Sequence, residues 1–279
     1  MENKKQVIIE YYKTLGSRLW YGFILKGIKH FGYYPVGKEN ISIKEAQKLM
    51  MAKVYEKLAL KNNPYLLDAG CGEGETAFYL ADKYKIRISG IDILDFNIEK
   101  ANRKKEKRDL KNVDFKIMDY STLDFGNDTF DGVYAIETLV HAIDYRRVLK
   151  EFWRVLKPGG KIVLCEYTMK ASSEIPPKLQ KIEKIIIEGS GMHSLPNFIH
   201  GNFSKILEEA GFINISIDEI TKRVIPMLEK FYFFAFLPYQ LIKLFGLQKC
   251  FVNLTTAAEY KNILKNDGWR YVIVSATKR

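Results

Sequence analysis

Through the middle of this chain, short apolar runs alternate with stretches whose apolar positions recur three and four apart, as strands alternate with amphipathic helices. The runs at 65–68, 86–92, 113–118, 130–136 and 161–167 predict strands, and 75–84, 97–110 and 145–156 predict the helices between them. The strands are nearly continuous in apolar residues, so they belong in a parallel sheet covered on both faces. Downstream, 202–210 closed by Gly211 reads as a glycine-capped helix. Runs at 212–219 and 269–277 predict two last strands, whose hairpin pairing would complete a seven-stranded, mostly parallel α/β sheet. Upstream, 6–15, 20–28 and 42–60 predict helices, the last opening with the capping-box sequence Ser42-Ile-Lys-Glu. The expected organisation is an N-terminal helical lid over 1–60, a ligand-binding core over 61–170, and the rest of the core over 171–279 with cap insertions near 171–200 and 221–262.

Where the first strand ends, the pattern changes to Leu66-Leu-Asp-Ala-Gly-Cys-Gly-Glu-Gly74. Alternating glycines there turn the backbone into a helix and let a ligand approach the main chain. A dinucleotide fingerprint starting at Gly70 requires a small residue where Glu75 stands, so the nicotinamide or flavin reading fails. Strand 2 ends at Asp92, at the distance from the glycine turn where a carboxylate accepts from ribose hydroxyls. Strand 3 is followed by Asp119-Tyr120, and strand 4 by Ile136-Glu137 with His141 four residues on.

Composition narrows the possible partners and compartment. The chain has 279 residues, 47% of them apolar, enough for one large domain with a cap. Its net charge of +11 comes from 44 basic and 33 acidic residues and by itself leaves nucleic acid, an anionic membrane or simple solubility open. The densest basic run, 100–111, has acids interleaved and predicts a solvated helix face. Cys71, Cys165 and Cys250 lack metal-ligand spacing and fit a reducing compartment. No metal site is expected, and neither is a nucleic-acid partner. A cytoplasmic protein is expected, with a possible peripheral membrane contact through the greasy segment 231–247, for which a cap helix is the preferred reading.

Asp68, Gly70, Gly72 and Gly74 together resemble motif I of the class I S-adenosylmethionine (SAM) dependent methyltransferases. The Ala-Ile-Glu-x-x-x-His-Ala run at 135–142, the Arg-Val-Leu-Lys-Pro-Gly-Gly turn at 154–160 and the His-Phe-Gly-Tyr loop at 30–33 resemble the sterol 24-C-methyltransferase group and its tocopherol and terpenoid relatives. Thr138-Leu139-Val140 departs from the sterol enzymes at the centre of their Glu-Ala-Thr-Cys-His sequence. The resemblance implies a Rossmann-like methyltransferase fold with SAM as cofactor. It also implies that the glycine turn and Cys71 lie against the methionine part, Asp68 near the amino group, Asp92 and Ile93 at the ribose, and Asp119, Tyr120 and Ile136 around the adenine.

Such chemistry implies a lipophilic small molecule as acceptor, with carbon as the methylated atom. If an alkene attacks, Tyr33, Tyr34 and Tyr167 could stabilise a carbocation through their ring faces while Glu137, His141 or Glu166 removes a proton. If a phosphobase or other amine attacks, the same aromatics would cage an ammonium. A SAM-binding protein without catalysis is the remaining alternative.

Overall fold

A computed structural model describes residues 2–279. Its sheet is built from β1 (Tyr65–Ala69), β2 (Arg87–Asp92), β3 (Val113–Ile117), β4 (Phe130–Ile136), β5 (Leu156–Met169), β6 (Phe212–Glu219) and β7 (Trp269–Lys278). They lie in the order β3-β2-β1-β4-β5-β7-β6. The first five are parallel, and β7 runs antiparallel between β5 and β6, so the two last strands pair as the alternation predicts. β1 lies centrally because its apolar side chains are buried on both faces. Strand order reverses between β1 and β4, which opens a crevice beyond their carboxyl ends.

The helices are α1 (Glu2–Lys13), α2 (Leu15–Leu19), α3 (Ile43–Leu58), α4 (Glu75–Tyr84), α5 (Asp95–Arg108), α6 (Tyr145–Val155), α7 (Pro177–Ser190), α8 (Phe203–Glu209), α9 (Thr221–Leu244) and α10 (Val252–Lys265). α6 shows why they pack on the sheet: Tyr145, Val148, Leu149, Phe152 and Val155 share its buried face at helical spacing. α3 begins where its capping sequence says, with Ser42 Oγ accepting from Glu45 N at 3.2 Å. α1, α2, α7, α9 and α10 form the cap, joined by two apolar clusters, one around Trp20, Met227 and Phe231 and one around Tyr11, Leu179 and Val252.

Four local differences from the sequence pattern have physical reasons. The expected helix over 20–28 is a single π-helical turn, Trp20–Ile24, closed by Leu25 N donating to Trp20 O and stopped at Gly27, whose φ is +87°. The expected turn before strand 5 is a bulge: Leu156 pairs with Phe130 while Lys161 pairs with Gly132, so β5 starts earlier. The greasy segment is one long helix, α9, continuous through Pro226 and Pro238, and α10 follows it unforeseen. The basic run on α5 is not only a solvated face, because Lys100 and Lys104 pair with Glu73, and Arg108 with Glu75, at 2.8 to 3.0 Å, clamping the helix to the glycine turn.

Candidate active site

A cavity of about 630 Å³ occupies the crevice at the ends of β1, β2 and β4. Gly70 and Cys71 both donate to Ile91 O at 2.8 Å, which binds the glycine turn to the neighbouring strand. A Cβ on Gly70 would lie 2.5 Å from the Thr138 side chain, so this glycine lets the turn press on the loop after β4. At Gly72 the space is open, with only Lys29 within 4 Å, and the bare main chain faces the cavity. Gly74 is different: it does not line the cavity but caps α4 at φ +81°, tight against the Phe115 ring.

The acids flank this turn. Asp68 is buried at the cavity wall, with one carboxyl oxygen that has no hydrogen-bond partner. Loss of solvation pushes its carboxyl up to about 7. Asp92 accepts from Leu94 N (2.8 Å), Gly72 N (2.9 Å) and Asn97 Nδ2 (3.2 Å). Desolvation still raises it, opposed by the Lys29 charge and these bonds. Ile93, Tyr120 and Ile136 also line the cavity. Asp119 is engaged from the lid, with Lys5 Nζ of α1 2.5 Å from Oδ2 and Ser121 N donating to Oδ1 at 2.8 Å. Burial would raise this carboxyl, but Lys5 and Ser121 outweigh it and hold the group below its ordinary value.

At the inner end of the cavity stands Glu137. Its Oε1 accepts from Phe31 N at 2.6 Å and from the Tyr271 hydroxyl at 2.8 Å, and its Oε2 accepts from the Tyr167 hydroxyl. These bonds hold it in the left-handed region, at φ +56°, where a residue with a Cβ rarely sits. Desolvation is the dominant influence and pushes the carboxyl up to about 7. His141 is buried with Nδ1 3.2 Å from Gly191 O, so Nδ1 carries the proton and Nε2 faces the Tyr12 hydroxyl at 3.4 Å. Burial lowers His141 to about 4 and His30 likewise, so both are neutral at pH 7.

Behind Glu137 lies a second, narrower chamber of about 150 Å³ under the cap. Lys29, His30 and Glu137 line both spaces and form the junction between them. The chamber walls are apolar and aromatic. Phe31, Tyr167 and Trp269 stand with ring centroids 5.6 to 6.2 Å apart near the junction, and Met227, Leu228 and Phe231 come from α9. One acid lies deeper in the chamber: Glu183 of α7, buried, with one oxygen unpartnered and its carboxyl pushed up to about 7 by burial.

Three sequence-picked residues lie elsewhere. Tyr34 is 1% exposed in the cluster between α3 and α9, and Tyr33 donates its N–H to Ala46 O and turns its ring toward Lys53. Gly32 explains this, since a Cβ there would lie 2.5 Å from the Ala46 Cβ; the close approach to α3 turns Tyr33 and Tyr34 away and leaves Phe31 at the chamber. Glu166 follows strand alternation. Tyr167 points into the chamber, so Glu166 points to the other face, where its Oε1 accepts from Thr138 N (3.0 Å) and Leu139 N (2.6 Å). It positions the loop that carries Glu137 and lines neither space. Lys29, His30, Phe31 and Tyr12 also line these spaces, although the sequence pattern gives none of them a role of its own. The first three lie in or beside the aromatic loop whose tyrosines drew attention, but nothing near Tyr12 in the sequence links it to His141.

Residues 60–222 match the methyltransferase-domain family. Over 284 aligned positions the chain is 32% identical to an S-adenosyl-L-methionine-dependent Diels-Alderase, iccD of Talaromyces variabilis, covering 99% of this chain and 96% of that one. The chain belongs to the SAM-dependent methyltransferases. The methyltransferase uses S-adenosylmethionine as its cofactor. Its fold is shared end to end with the [4+2]-cyclase SpnF, at TM-score 0.75 and 23% identity over 99% of this chain and 96% of that one. It is also shared with geranyl diphosphate C-methyltransferase of Streptomyces coelicolor A3(2), at TM-score 0.74 and 15% identity over 100% of this chain and 98% of that one.

Proposed function

We propose that this enzyme methylates an uncharged lipophilic acceptor of sterol or isoprenoid type, whose reacting end enters the inner chamber at Glu137. The carrying observation is the apolar chamber that, among the described residues, meets the cofactor cavity only at Lys29, His30 and Glu137. The residues of the outer cavity fit SAM: Asp68 has a carboxyl oxygen without a partner, and Gly72 leaves the main chain bare toward the space. Asp68 and the glycine turn would hold the methionine end, Asp92 and Ile93 the ribose, and Asp119, Tyr120 and Ile136 the adenine. When bound there, SAM supplies an electrophilic methyl group to a nucleophile seated in line with it.

The side chains of this chain would then do three things. The cap and chamber exclude water from the acceptor. The rings of Phe31, Tyr167 and Trp269 stabilise positive charge on a methylated alkene through their faces, the task expected of Tyr33, Tyr34 and Tyr167. Glu137 accepts the proton, its carboxyl already poised near neutral pH. A phosphobase fits less well, because among the described residues the chamber lining holds one lysine or arginine to meet a phosphate, Lys29, whose Nζ bonds Asn97 Oδ1 at 2.6 Å.

A second reading is supported by the end-to-end relative, a SAM-dependent Diels-Alderase. In that reading the chamber folds a polyene for cycloaddition and no methyl group leaves the cofactor. One experiment separates the two. The enzyme is incubated with methyl-labelled SAM and a whole extract of its source cells, which is then partitioned between organic solvent and water, followed by mass spectrometry of both phases. Label in a lipid heavier by one methylene, with S-adenosylhomocysteine formed in equal amount, supports methylation. A SAM-dependent isomer of unchanged mass supports cycloaddition, and label confined to small aqueous amines overturns both.

A further inference from the structure

The face of α9 turned away from the core is apolar along its carboxyl-terminal half. Phe233, Leu237 and Leu244 are 80%, 77% and 75% exposed, with Phe234 and Leu241 also open and Phe245 and Leu247 continuing beyond the helix end. Positions 233, 237, 241 and 244 recur at helical spacing, so they form one stripe about 17 Å long rather than scattered singles. Soluble surfaces seldom carry such a stripe without covering it. Elsewhere on the cap Leu15, Leu19 and Phe23 are exposed as well.

Charge suggests what covers the stripe. From Lys230 to Ala258 the chain has no aspartate or glutamate, while Lys243 and Lys249 fringe the apolar positions, Lys249 partly shared with Glu188 at 3.1 Å; Lys230 turns inward, bonding Ile41 O beside the Tyr34 ring. Two copies meeting through this face would bring like-charged fringes together, whereas an anionic lipid leaflet would neutralise them. Among the described residues no helix is long and apolar enough to cross a membrane, so α9 would lie in the plane of the surface.

We propose that the outer face of α9 docks this enzyme on an anionic lipid bilayer. Buried apolar side chains supply the affinity and the lysine fringe supplies the preference for anionic headgroups. The opposite face of the same helix puts Met227, Leu228 and Phe231 into the chamber wall, so one helix separates bilayer from chamber. That geometry would feed a lipophilic acceptor to the chamber from the membrane, a corollary that rests on the proposed function, as the docking itself does not.

Co-sedimentation of the full chain with phosphatidylcholine vesicles, with and without phosphatidylserine, tests the docking. Wild-type protein should pellet with the phosphatidylserine vesicles and less with phosphatidylcholine alone, and salt should weaken the difference. A Phe233→Asp, Leu237→Asp, Leu241→Asp variant should partition roughly tenfold less or worse, with unchanged SAM affinity and thermal midpoint showing that it is folded. Lys243→Glu with Lys249→Glu should lose the preference for phosphatidylserine. Wild-type protein that stays in the supernatant overturns the proposal. So does a dimer, seen by light scattering, that the triple variant abolishes while vesicles are ignored, since the face is then an interface between copies. Vesicle binding without any labelled lipid product would leave the docking standing and count against the acceptor.

Discussion

Glu137 combines three properties that rarely meet in one side chain: a left-handed backbone, hydrogen-bond donors from three separate elements, and a carboxyl pushed up to about 7. If it takes the proton, the methylation rate should climb with pH through a midpoint of about 7, as the carboxylate form appears. In Glu137→Gln the rate should fall roughly a hundredfold and that pH limb should vanish, with SAM affinity little changed. A variant retaining full activity and the limb would remove Glu137 from the chemistry. At the other end of the cavity Asp92 should matter for binding. Asp92→Ala loses a carboxylate that also orders Gly72 N and Leu94 N, and the dissociation constant for SAM by titration calorimetry should rise about tenfold or more. Unchanged affinity would mean that the ribose is held elsewhere.

The aromatic loop and α3 act as one unit, because Gly32 allows a contact that no larger residue permits. Gly32→Ala would drive a methyl group into Ala46 and should cost about 1–3 kcal/mol, read as a lower thermal midpoint. The same shift should move Phe31 off Glu137, so activity should fall more than stability alone predicts. α1 closes the cavity from above through Lys5 and Asp119. These elements were legible as helices and a loop from apolar spacing and capping residues. Which loop side chains faced the chamber was not, because the answer depends on a packing distance between residues fourteen positions apart, Gly32 and Ala46.

Across the whole molecule, buried acids and buried histidines pull stability in opposite directions with pH. Asp68, Glu137 and Glu183 have folded values of about 7, above their unfolded ones, so what they contribute is complete below about 4 and is lost as pH rises through 7. His30 and His141, lowered to about 4, contribute above about 6.5 and lose that contribution as pH falls through 4. Because the two sets partly cancel, a single substitution isolates one of them. Glu183→Gln should melt above wild type at pH 8, where the native carboxylate is charged without a full set of partners, and the gap should close near pH 5. A gap that does not change with pH would show that Glu183 keeps an ordinary carboxyl.

The sequence alone determined the order of strands and helices, the glycine turn and the acids at the strand ends, because hydrophobic periodicity and glycine's backbone freedom are local properties of neighbouring residues. The antiparallel placing of β7 followed from two short strands left at the end. Tertiary structure decided which side chains share a space. Tyr12 of α1 meets His141, Tyr271 of the last strand meets Glu137, and the glutamate at 166 faces away while its neighbour at 167 faces in. The first two pairings arise from how helices cross and strands register over more than a hundred residues of chain, and no local pattern encodes them; in the third, alternation sets the two side chains on opposite faces, and only the packing around the strand decides which face is the chamber.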